Sequence, residues 1–506
     1  MTPGHHPLPQ TDCILAIDQG TTGTTCLTVG RDGAILSRGY ATVESSYPHD
    51  GWVEQDAEAI WDSVLKAATE ALDTTDAVPV AIGITNQRET TIVWDAQSGR
   101  PLAPAIVWQC RRTAELCDAL TAAGHTDFIR DRTGLVIDPY FSGTKIGWLL
   151  DSDPDLRAAA ESGRARFGTV DSWLLWKLTG GREHRIDATN ASRTMLASLV
   201  GPAWDDDLLE ILHVPAAMLP EIVPSTGKLG VTTGTGPIAA GLTIGGIAGD
   251  QHAALFGQAC FDPGMVKSTY GTGCFLLMNT GPEPRGSESG LLTTVAWQIG
   301  SKTTYALEGS VFIGGAVVQW LRDGLGLIET AAESESVAAS VPDTAGAVFV
   351  PAFVGLGAPH WDPRARGIIA GLTQEAGRAH IVRAGLESIA HQVADVAEIM
   401  ALDSGVNPSE IRVDGGAAQN DLLMQMQADL IDCQVVRPAN IETTAMGAAL
   451  LAGLEIGFWN DLDELRSIWK LDREFHPAND PSVSARRRLW SRALDRSRYW
   501  ATPDGP

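Results

Sequence analysis

Alternating apolar and polar stretches near the N-terminus predict three consecutive strands joined by tight turns. Four apolar residues, 14–17, end in Asp18, and a turn rich in glycine and threonine leads to a second apolar run at residues 26–29. Another turn at residues 31–33 precedes Ile35. Backbone amides and threonine hydroxyls at such a bend are suited to surround phosphate oxygens, and an aspartate at the strand end is suited to hold Mg²⁺. The alternative for this stretch alone is a purely structural hairpin.

The same order of strand, Gly/Thr turn and strand recurs near the middle of the chain. Residues 265–268 lead through Thr269-Tyr-Gly271-Thr-Gly273 into the apolar run 274–278. No Gly-x4-Gly-Lys-Ser/Thr occurs in the sequence, which excludes a P-loop. Two such hairpins, one in each half, predict two similar lobes that face each other across a nucleotide cleft.

Periodicity elsewhere predicts an α/β protein. Helical spacing predicts a helix over residues 57–72, and the apolar run 80–84 predicts a buried strand. Residues 411–413 predict a strand that is followed by a helix over residues 418–431. The most regular helical stripe is ended by Gly405 and consists of Val382, Leu386, Ile389, Val393, Val396 and Met400.

The middle of the chain contains shorter predicted elements. Residues 106–108, 244–248 and 348–354 predict strands, and Gly249-Asp-Gln251 opens a predicted helix. Proline, glycine and threonine crowd residues 215–237, which predicts an inter-lobe or surface segment that includes a surface loop at positions 233–236.

Length and composition limit the class of protein. A chain of 506 residues is long enough for two large domains, since single cores stop growing near ~250–300 residues. We predict a disordered N-terminus at 1–10, an N-terminal domain at 11–255 and a C-terminal domain at 256–506. The formal charge of −25 argues against nucleic acid and anionic membranes as partners.

Cysteine usage and hydropathy predict a cytoplasmic protein without stable membrane insertion. Seven scattered cysteines without a CxxC pair are typical of a reduced compartment. The uncharged run 229–249 has the length of a membrane span, but seven glycines and Pro237 predict loop and strand instead. The histidines lack the spacing of a zinc site.

A few polar residues near predicted strand ends could carry phosphoryl transfer to a hydroxyl. Such a reaction needs a carboxylate to accept the proton, and Asp250 at a strand-to-helix junction is the best candidate, with helix capping as the alternative. Arg88 and Glu89 could grip neighbouring hydroxyls of a polyol or form a solvated surface pair. The aromatic residues that could wall a pocket, with core packing as the alternative, are Trp108, Tyr140 and Phe275.

Together these motifs resemble the glycerol kinases, a group of FGGY carbohydrate kinases within the actin and sugar-kinase ATPase superfamily. The resemblance covers residues 13 to about 475. The matching motifs are Asp18-Gln-Gly-Thr-Thr22, Gly83-Ile-Thr-Asn-Gln-Arg88-Glu-Thr-Thr91, Ile106-Val-Trp-Gln-Cys-Arg-Arg-Thr113, Asp138-Pro-Tyr-Phe-Ser-Gly-Thr-Lys145, Gly249-Asp-Gln251, Tyr270-Gly-Thr-Gly-Cys-Phe275, Gly355-Leu-Gly-Ala-Pro359 and Asp414-Gly-Gly-Ala417.

The resemblance implies a fold, a reaction and a set of site residues. The fold is two ribonuclease-H-like lobes with mixed sheets flanked by helices and an interdomain cleft. The reaction is ATP plus glycerol to ADP plus sn-glycerol 3-phosphate, with Asp250 as general base and Asp18 at the Mg²⁺ site. The implied glycerol contacts are Arg88, Glu89, Trp108, Tyr140, Asp250, Gln251 and Phe275. The implied nucleotide contacts are Thr21, Thr22, Gly23, Thr272, Gly315, Gln319, Gly416 and Asn420. The family also implies a homodimer or homotetramer.

The sequence departs from the family pattern in three places. Glycerol kinases usually carry Ser-Ser-Arg after Thr-Thr, whereas Gly23-Thr-Thr25 stands here, so a phosphate-binding arginine is missing. Residues 229–243 do not resemble the loop that binds fructose bisphosphate in some bacterial members. Similarity fades beyond Phe475, so binding of a sugar-phosphotransferase regulatory protein does not transfer.

Two other functions remain open from the sequence. The closest rival is a kinase for another small polyol. The second is an ATPase-fold sensor that binds ligand with little turnover, and the only residue that suggests it is Thr25.

Overall fold

The computed structural model describes residues 12–501, so the predicted disorder of residues 1–10 falls on positions outside the description. The strands of the first half are β1 (Asp12–Gln19), β2 (Gly23–Val29), β3 (Ile35–Thr42), β4 (Glu54–Gln55), β5 (Val78–Asn86), β6 (Ile92–Asp95), β7 (Ala105–Ile106), β8 (Ala165–Gly168), β9 (Arg185–Asp187), β10 (Ala197–Ser198), β11 (Ala203–Trp204), β12 (Glu221–Val223), β13 (Thr226–Thr235) and β14 (Ile238–Gly249). Its helices are α1 (Ala57–Asp73), α2 (Ala114–Ala122), α3 (Thr126–Thr133), α4 (Ser142–Ser152), α5 (Pro154–Glu161), α6 (Val170–Leu178), α7 (Ala188–Ala191), α8 (Asp206–Ile211) and α9 (Asp250–Gly257).

The second half repeats the mixture of strands and helices. Its strands are β15 (Val266–Tyr270), β16 (Cys274–Gly281), β17 (Leu292–Ile299), β18 (Lys302–Val311), β19 (Val348–Val350), β20 (Ile368–Ala370), β21 (Ile411–Asp414), β22 (Val435–Pro438) and β23 (Leu471–Phe475). Its helices are α10 (Ala316–Asp323), α11 (Glu333–Ala339), α12 (Arg378–Ser404), α13 (Asp421–Ile431), α14 (Thr443–Glu455), α15 (Leu462–Ile468) and α16 (Val483–Ser497). Short 3₁₀ turns lie at Ala216–Met218 and Gly416–Gln419.

A mixed sheet runs through both lobes. Within residues 12–501 it has 13 strands in the order β23-β22-β21-β15-β16-β18-β17-β13-β14-β5-β1-β2-β3. In the first lobe β3, β2 and β1 form an antiparallel meander, and β5 and β14 add in parallel. In the second lobe β18, β16 and β15 are antiparallel, and β21 and β22 add in parallel. This repeated ribonuclease-H-like order confirms the two predicted lobes.

Strand β13 joins the sheets of the two lobes. It pairs with β14 along its length, and Thr226 pairs in parallel with Ile299 of β17. The predicted inter-lobe role of this segment agrees with the pairing. The predicted surface loop at positions 233–236 is wrong for its first three residues, which extend β13 to Thr235. Glycine and threonine hide the alternation of apolar and polar residues that marks a strand.

Helices α9 and α14 cross in direct contact between the lobes. A Cβ added to Gly257 would overlap the carbonyl oxygen of Thr443, and one added to Gly447 would overlap that of Ala253. Because glycine alone leaves this space free, the two helix backbones touch where the lobes meet.

The long predicted helices are confirmed, while several short elements differ in extent. Helix α1 begins after Asp56, whose Oδ1 accepts the N–H of Glu58, and α12 ends at Gly405 in the left-handed conformation. Helix α13 begins three residues later than predicted because a 3₁₀ turn precedes it. The predicted strands at 106–108 and 348–354 shorten to β7 and β19. Among residues 12–501 no helix has both the length and the apolar character needed to cross a membrane.

Candidate active site

The register of three parallel strands collects the polar residues that follow them. Gln19, Asn86 and Gly249 lie in register at the carboxyl ends of β1, β5 and β14. Asp18 is therefore one position inside this edge, and Asp250 immediately follows it as the first residue of α9. Carboxyl ends of adjacent parallel strands form the ligand edge of open α/β sheets. The predicted metal and base carboxylates thus meet at one edge of the first lobe.

Electrostatics at this edge fit a divalent cation. Burial raises the pKa of Asp18 to about 8, and the carboxylates of Asp250 and Glu442 add to the rise. Such crowding of negative charge is relieved by a cation. Within residues 12–501 no three His, Cys, Asp or Glu side chains cluster as a complete metal site. Mg²⁺ commonly takes one or two carboxylates and completes its shell with phosphate oxygens and water, so Asp18 fits this ion.

Arg88 is buried at the centre of the predicted acceptor site. Its Nε lies 3.2 Å from Oδ1 of Asp250, and its Nη2 donates to the hydroxyl of Tyr140 over 3.3 Å. Its two terminal nitrogens also donate to both oxygens of Glu308 over 2.5 and 3.0 Å. A Cβ at Gly249 would lie 2.7 Å from Cγ of Arg88, so glycine leaves room for the arginine stem. The predicted donor and the predicted base are in direct contact.

Glu89 follows in a strained backbone conformation. Its φ of 58° lies in the left-handed region, which a non-glycine residue seldom adopts. Arg193 Nε donates to its Oε1 over 2.7 Å, and Ser142 and Lys145 donate to its backbone carbonyl over 3.0 and 3.2 Å. Burial raises the pKa of Glu89 against the opposing effect of Arg88 and Arg193. The surface-pair alternative for Arg88 and Glu89 is therefore wrong, because both side chains are buried.

Two members of this buried charge cluster were not predicted from the sequence. Glu308 on β18 accepts from Arg88 and from Nη2 of Arg193, which lies 3.1 Å away. Burial alone would raise the pKa of Glu308, but the guanidinium groups of Arg193 and Arg88 hold it well below its ordinary value. Glu308 reaches from the second lobe to an acceptor residue of the first. The available signal was a lone charged residue inside an apolar strand, but nothing in the sequence linked it to position 88.

The aromatic residues connect the acceptor site to the first hairpin. Trp108 donates its Nε1–H to Oγ1 of Thr21 over 2.9 Å, and its ring meets that of Tyr140 edge-on at 5.6 Å. Phe275 is half-buried on β16, where it pairs with Thr269 of β15. Two of the three predicted pocket walls therefore touch each other, and the third belongs to the second lobe.

The first hairpin is closed by a hydrogen bond from Gly20 N–H to the carbonyl of Gly23 over 2.9 Å. A Cβ at Gly23 would lie 2.6 Å from both the hydroxyl oxygen of Tyr40 and the carbonyl oxygen of Ala41. This contact explains why glycine stands where the family pattern has serine. Thr22 is exposed at the tip, where its side chain is free to meet a ligand.

The second hairpin carries the predicted nucleotide residues of the other lobe. Gly271 N–H donates to Gly273 over 2.9 Å, and Gly315 N–H donates to the carbonyl of Gly271 over 2.8 Å. A Cβ at Gly315 would lie 3.7 Å from that of Ala417, so the turn at Gly416 adjoins this hairpin. Hairpin, helix start and 3₁₀ turn thus form one continuous surface.

The remaining predicted nucleotide residues are Gln319 on α10 and Asn420 at the start of α13. Gln319 is exposed on α10. Asn420 caps α13, since its Oδ1 accepts the N–H of Leu423 over 2.9 Å, and its Nδ2 donates to Oγ of Ser334 over 3.3 Å. Both ends of the Asn420 amide therefore have a hydrogen-bond partner within the protein. Contact of Gln319 with the nucleotide and of Asn420 with adenosine stays a prediction.

Gln251 is held by a lysine that sequence reasoning missed. Lys267 Nζ donates to Oε1 of Gln251 and, over 3.0 Å, to Oγ1 of Thr269. The signal was a lysine inside the strand before the second hairpin, where apolar residues are expected. Lys267 thus joins the predicted acceptor side to the strand that leads into Thr272.

Two ribonuclease-H-like lobes, each with a Gly/Thr hairpin, and the carboxylates of Asp18 and Asp250 at one strand edge define a phosphotransferase of the actin-like ATPase class. Family models for the N-terminal and C-terminal domains of FGGY carbohydrate kinases match residues 13–257 and 266–456. The chain belongs to the FGGY family of carbohydrate kinases.

Individual relatives agree with this assignment over nearly the whole chain. The chain is 55% identical over 496 residues to a glycerol kinase of Dechloromonas aromatica, covering 96% of this chain and 98% of the relative. It is 54% identical over 493 residues to glycerol kinase 2 of Thermotoga maritima, covering 96% and 99%. The structure of Plasmodium falciparum glycerol kinase with ADP superposes with a TM-score of 0.91 at 36% identity, covering 96% and 98%. A xylulose kinase of Lactobacillus acidophilus shares the fold, with a TM-score of 0.87 at 23% identity over 96% and 98%.

Proposed function

We propose that this protein transfers the γ-phosphoryl group of MgATP to glycerol, forming ADP and sn-glycerol 3-phosphate. Full-length relatives that carry the name glycerol kinase support the substrate, and the ADP-bound relative supports the nucleotide. The observation that carries the proposal is the 3.2 Å contact of Arg88 with Asp250 beside Asp18. This contact joins a polyol-binding donor, a proton acceptor and a metal carboxylate at one strand edge.

Asp250 acts as the general base. Its Oδ1 accepts from the N–H of Gln251 over 2.6 Å and lies against Arg88. Within residues 12–501 no donor contacts Oδ2, which is left to take the proton of the attacking hydroxyl. The glycerol oxygen then bonds to the γ-phosphorus as the bond from that phosphorus to the β–γ bridging oxygen breaks, and ADP leaves. The two contacts of Oδ1 thereby fix the direction in which Oδ2 of Asp250 points.

The remaining acceptor residues hold glycerol for this transfer. Arg88 donates to one hydroxyl, and Glu89 accepts from a neighbouring one. Trp108, Tyr140 and Phe275 cover the carbon chain, because aromatic rings supply apolar surface beside polar tips. The hydrogen bond from Trp108 to Thr21 keeps this wall against the phosphate hairpin. Fixed orientation of this kind accelerates transfer by holding both reactants in line.

The nucleotide lies between the two hairpins. Asp18 would hold Mg²⁺, which would neutralise charge on the phosphate oxygens. Hairpin amides and hydroxyls bind the phosphates, and the surface around Gly315 and Gly416 faces adenosine. The residues proposed for this site are Thr21, Thr22, Gly23, Thr272, Gly315, Gln319, Gly416 and Asn420.

The proposal extends to domains, assembly and location. The boundary between domains falls at residues 255 and 256, near the end of α9. The chain assembles as a homodimer or homotetramer, which light scattering on the purified protein tests. It works in the cytoplasm, where ATP is available and where thiols stay reduced; all seven cysteines are free in the described part of the chain.

A coupled assay for ADP release tests the function. MgATP is offered with glycerol, dihydroxyacetone, erythritol or xylulose at equal concentrations. We expect the highest kcat/KM for glycerol. A higher kcat/KM for another polyol would contradict glycerol as the substrate, and turnover on none of them would favour a ligand-binding sensor.

A further inference from the structure

We propose that Lys267 is a positioning residue for phosphoryl transfer, which holds Gln251 and Thr269 and places a positive charge between Asp250 and the second hairpin. The inference rests on the proposed function. Three observations on the geometry and charge around Lys267 support it.

The first observation is the place of Lys267 in the sheet. It lies on β15 with its side chain fully buried, two positions before Thr269 and on the same face. Thr269 in turn pairs with Phe275 on β16. The lysine therefore shares a sheet face with a proposed wall of the acceptor site.

The second observation is the pair of groups that the ammonium joins. Nζ donates to Oε1 of Gln251, which directly follows the proposed base, and to Oγ1 of Thr269 at 3.0 Å. Gln251 belongs to α9, whereas Thr269 precedes the tip residue Thr272 by three positions. One side chain therefore connects the helix that presents Asp250 with the hairpin that meets phosphate.

The third observation is a buried cation whose hydrogen-bond partners are neutral. Lysine is almost never fully buried unless its charge is paired. Within residues 12–501 the hydrogen-bond partners of Nζ are the neutral Gln251 and Thr269 and no ion pair joins it to a carboxylate, although the charges of Asp414 and Asp250 favour its charged form. The other charged groups that face it are Arg88 and Glu308, and the further titratable groups that interact with it are His252, Cys260 and Cys274. The transferred phosphoryl group would supply the missing close negative charge.

The positive charge of Lys267 is more important in this chain because the first hairpin lacks a cation. Thr25 stands where the family pattern has an arginine that contacts phosphate. The first lobe therefore lacks that cation, whereas Lys267 offers one from the second lobe. Charge that is fixed before the reaction stabilises a transition state without reorganisation at the moment of transfer.

Substitution of Lys267 tests the inference, with Ser268→Ala on the opposite face of the same strand as the control. We expect Lys267→Met to lower kcat about 10²-fold at saturating Mg²⁺, and both KM values to change by less than about fivefold. Ser268→Ala should stay within about twofold of the unmodified protein. A Lys267→Met enzyme that folds, as judged by thermal unfolding, and keeps at least half of kcat would overturn the proposal.

The pH profile separates a charge effect from a purely structural one. Burial lowers the pKa of Lys267 to about 8, so its charge is present below this pH and is lost above it. For the unmodified enzyme at saturating Mg²⁺, kcat/KM for glycerol should fall as pH rises through about 8. Lys267→Arg should remove this fall, because arginine stays charged. The same alkaline fall in Lys267→Arg would overturn the role of the charge, even if Lys267→Met does not fold.

Failure of this inference differs from failure of the proposed function. If the unmodified enzyme and Ser268→Ala phosphorylate glycerol while Lys267→Met does so equally well, only the lysine role is lost. If neither the unmodified enzyme nor Ser268→Ala turns over glycerol, the proposed function is lost, and the lysine role with it.

Discussion

The two phosphate hairpins share a backbone plan but differ in charge. Each is closed by a glycine N–H that donates to a glycine carbonyl over 2.9 Å. When the two hairpin sequences are aligned at Gly20 and Gly271, Thr269 is the residue equivalent to Asp18, and Lys267 is the residue equivalent to Ala16. The first hairpin therefore presents a carboxylate, whereas the second presents a hydroxyl backed by a buried ammonium.

This difference shows how a repeated fold yields one site instead of two. A carboxylate suits a metal ion, while a hydroxyl and an ammonium suit phosphate oxygens. Two identical hairpins would place like charges on both sides of the cleft. In the proposed function, this difference would let the lobes share one metal-bound polyphosphate, with the metal ion at the carboxylate of the first lobe and phosphate oxygens at the second.

The lobes also differ in what they add to the acceptor side. The first lobe carries a long insertion after β5, from which Arg88, Glu89, Trp108 and Tyr140 come. The second lobe adds little chain there, yet Glu308 pairs with Arg88 through two hydrogen bonds. The proposed acceptor site is thus built mainly by the first lobe, and the second lobe adds the Phe275 wall and the Glu308 contact that holds Arg88.

The largest expected effect tests the base that belongs to the first lobe. Asp250→Asn should lower kcat by at least about 10²-fold while glycerol still binds, because the amide cannot take the hydroxyl proton. Steady-state kinetics and glycerol titration measure the two quantities. Asp206→Asn, at the first residue of α8, is the control for an aspartate that only starts a helix. Near-normal turnover of Asp250→Asn would remove this residue from the mechanism.

The second-largest effect is expected at the hydrogen bonds between Glu308 and Arg88, which join the two lobes. Glu308→Gln should reduce the free energy of unfolding by about 3–5 kcal/mol, because the two buried guanidinium groups lose their counter-charge. The KM for glycerol should also rise about tenfold as Arg88 loses its orientation. Urea unfolding and kinetics report the two effects. Glu333→Gln breaks a pair with the exposed Arg378 and should cost less than about 1 kcal/mol. Equal stability losses in the two variants would contradict the cross-lobe role.

A smaller effect is expected where the acceptor wall meets the first hairpin. Trp108→Phe keeps a ring but removes the Nε1–H donor to Thr21, which is worth about 1 kcal/mol, or about fivefold in the KM for glycerol. Trp204→Phe removes a similar indole donor, which reaches Pro220 away from the site, and should leave both KM values unchanged. If the two variants have the same kinetics, the contact does not support binding.

The smallest effect is expected from a substitution that restores a positive charge to the first hairpin. Thr25→Arg should lower the KM for ATP about threefold with little change in the KM for glycerol, because a partly exposed ion pair adds less than about 1 kcal/mol. Leu36→Arg adds the same charge at an exposed position of β3 and controls for net charge. An unchanged KM for ATP in Thr25→Arg would mean that the second lobe already supplies the needed cation.

The sequence by itself determined the two hairpins, the long helices and the candidate base, because each is written in a short stretch of chain. Tight turns need glycine, buried strands need apolar runs, and a carboxylate at a strand end is visible in a few residues. The residues also indicated Arg88 and the aromatic wall as candidates with structural alternatives, and the resemblance to a family then favoured their role as acceptor residues. The structure confirms the two lobes and the long helices, whereas the roles of the base and of the acceptor residues stay predictions.

Only the tertiary structure decided which distant groups complete the site. Glu308 meets Arg88 across 220 positions of sequence, and Lys267 meets Gln251 only because α9 packs beside β15. Neither contact leaves a periodic pattern, since a lone charge in an apolar strand looks the same whether it is paired or exposed. Residues 233–235 of β13 were mispredicted as a loop for a related reason: their pairing with β14, not their own sequence pattern, makes them part of a strand. Local chemistry follows from neighbouring residues, whereas long-range register and burial follow from the packing of the whole chain.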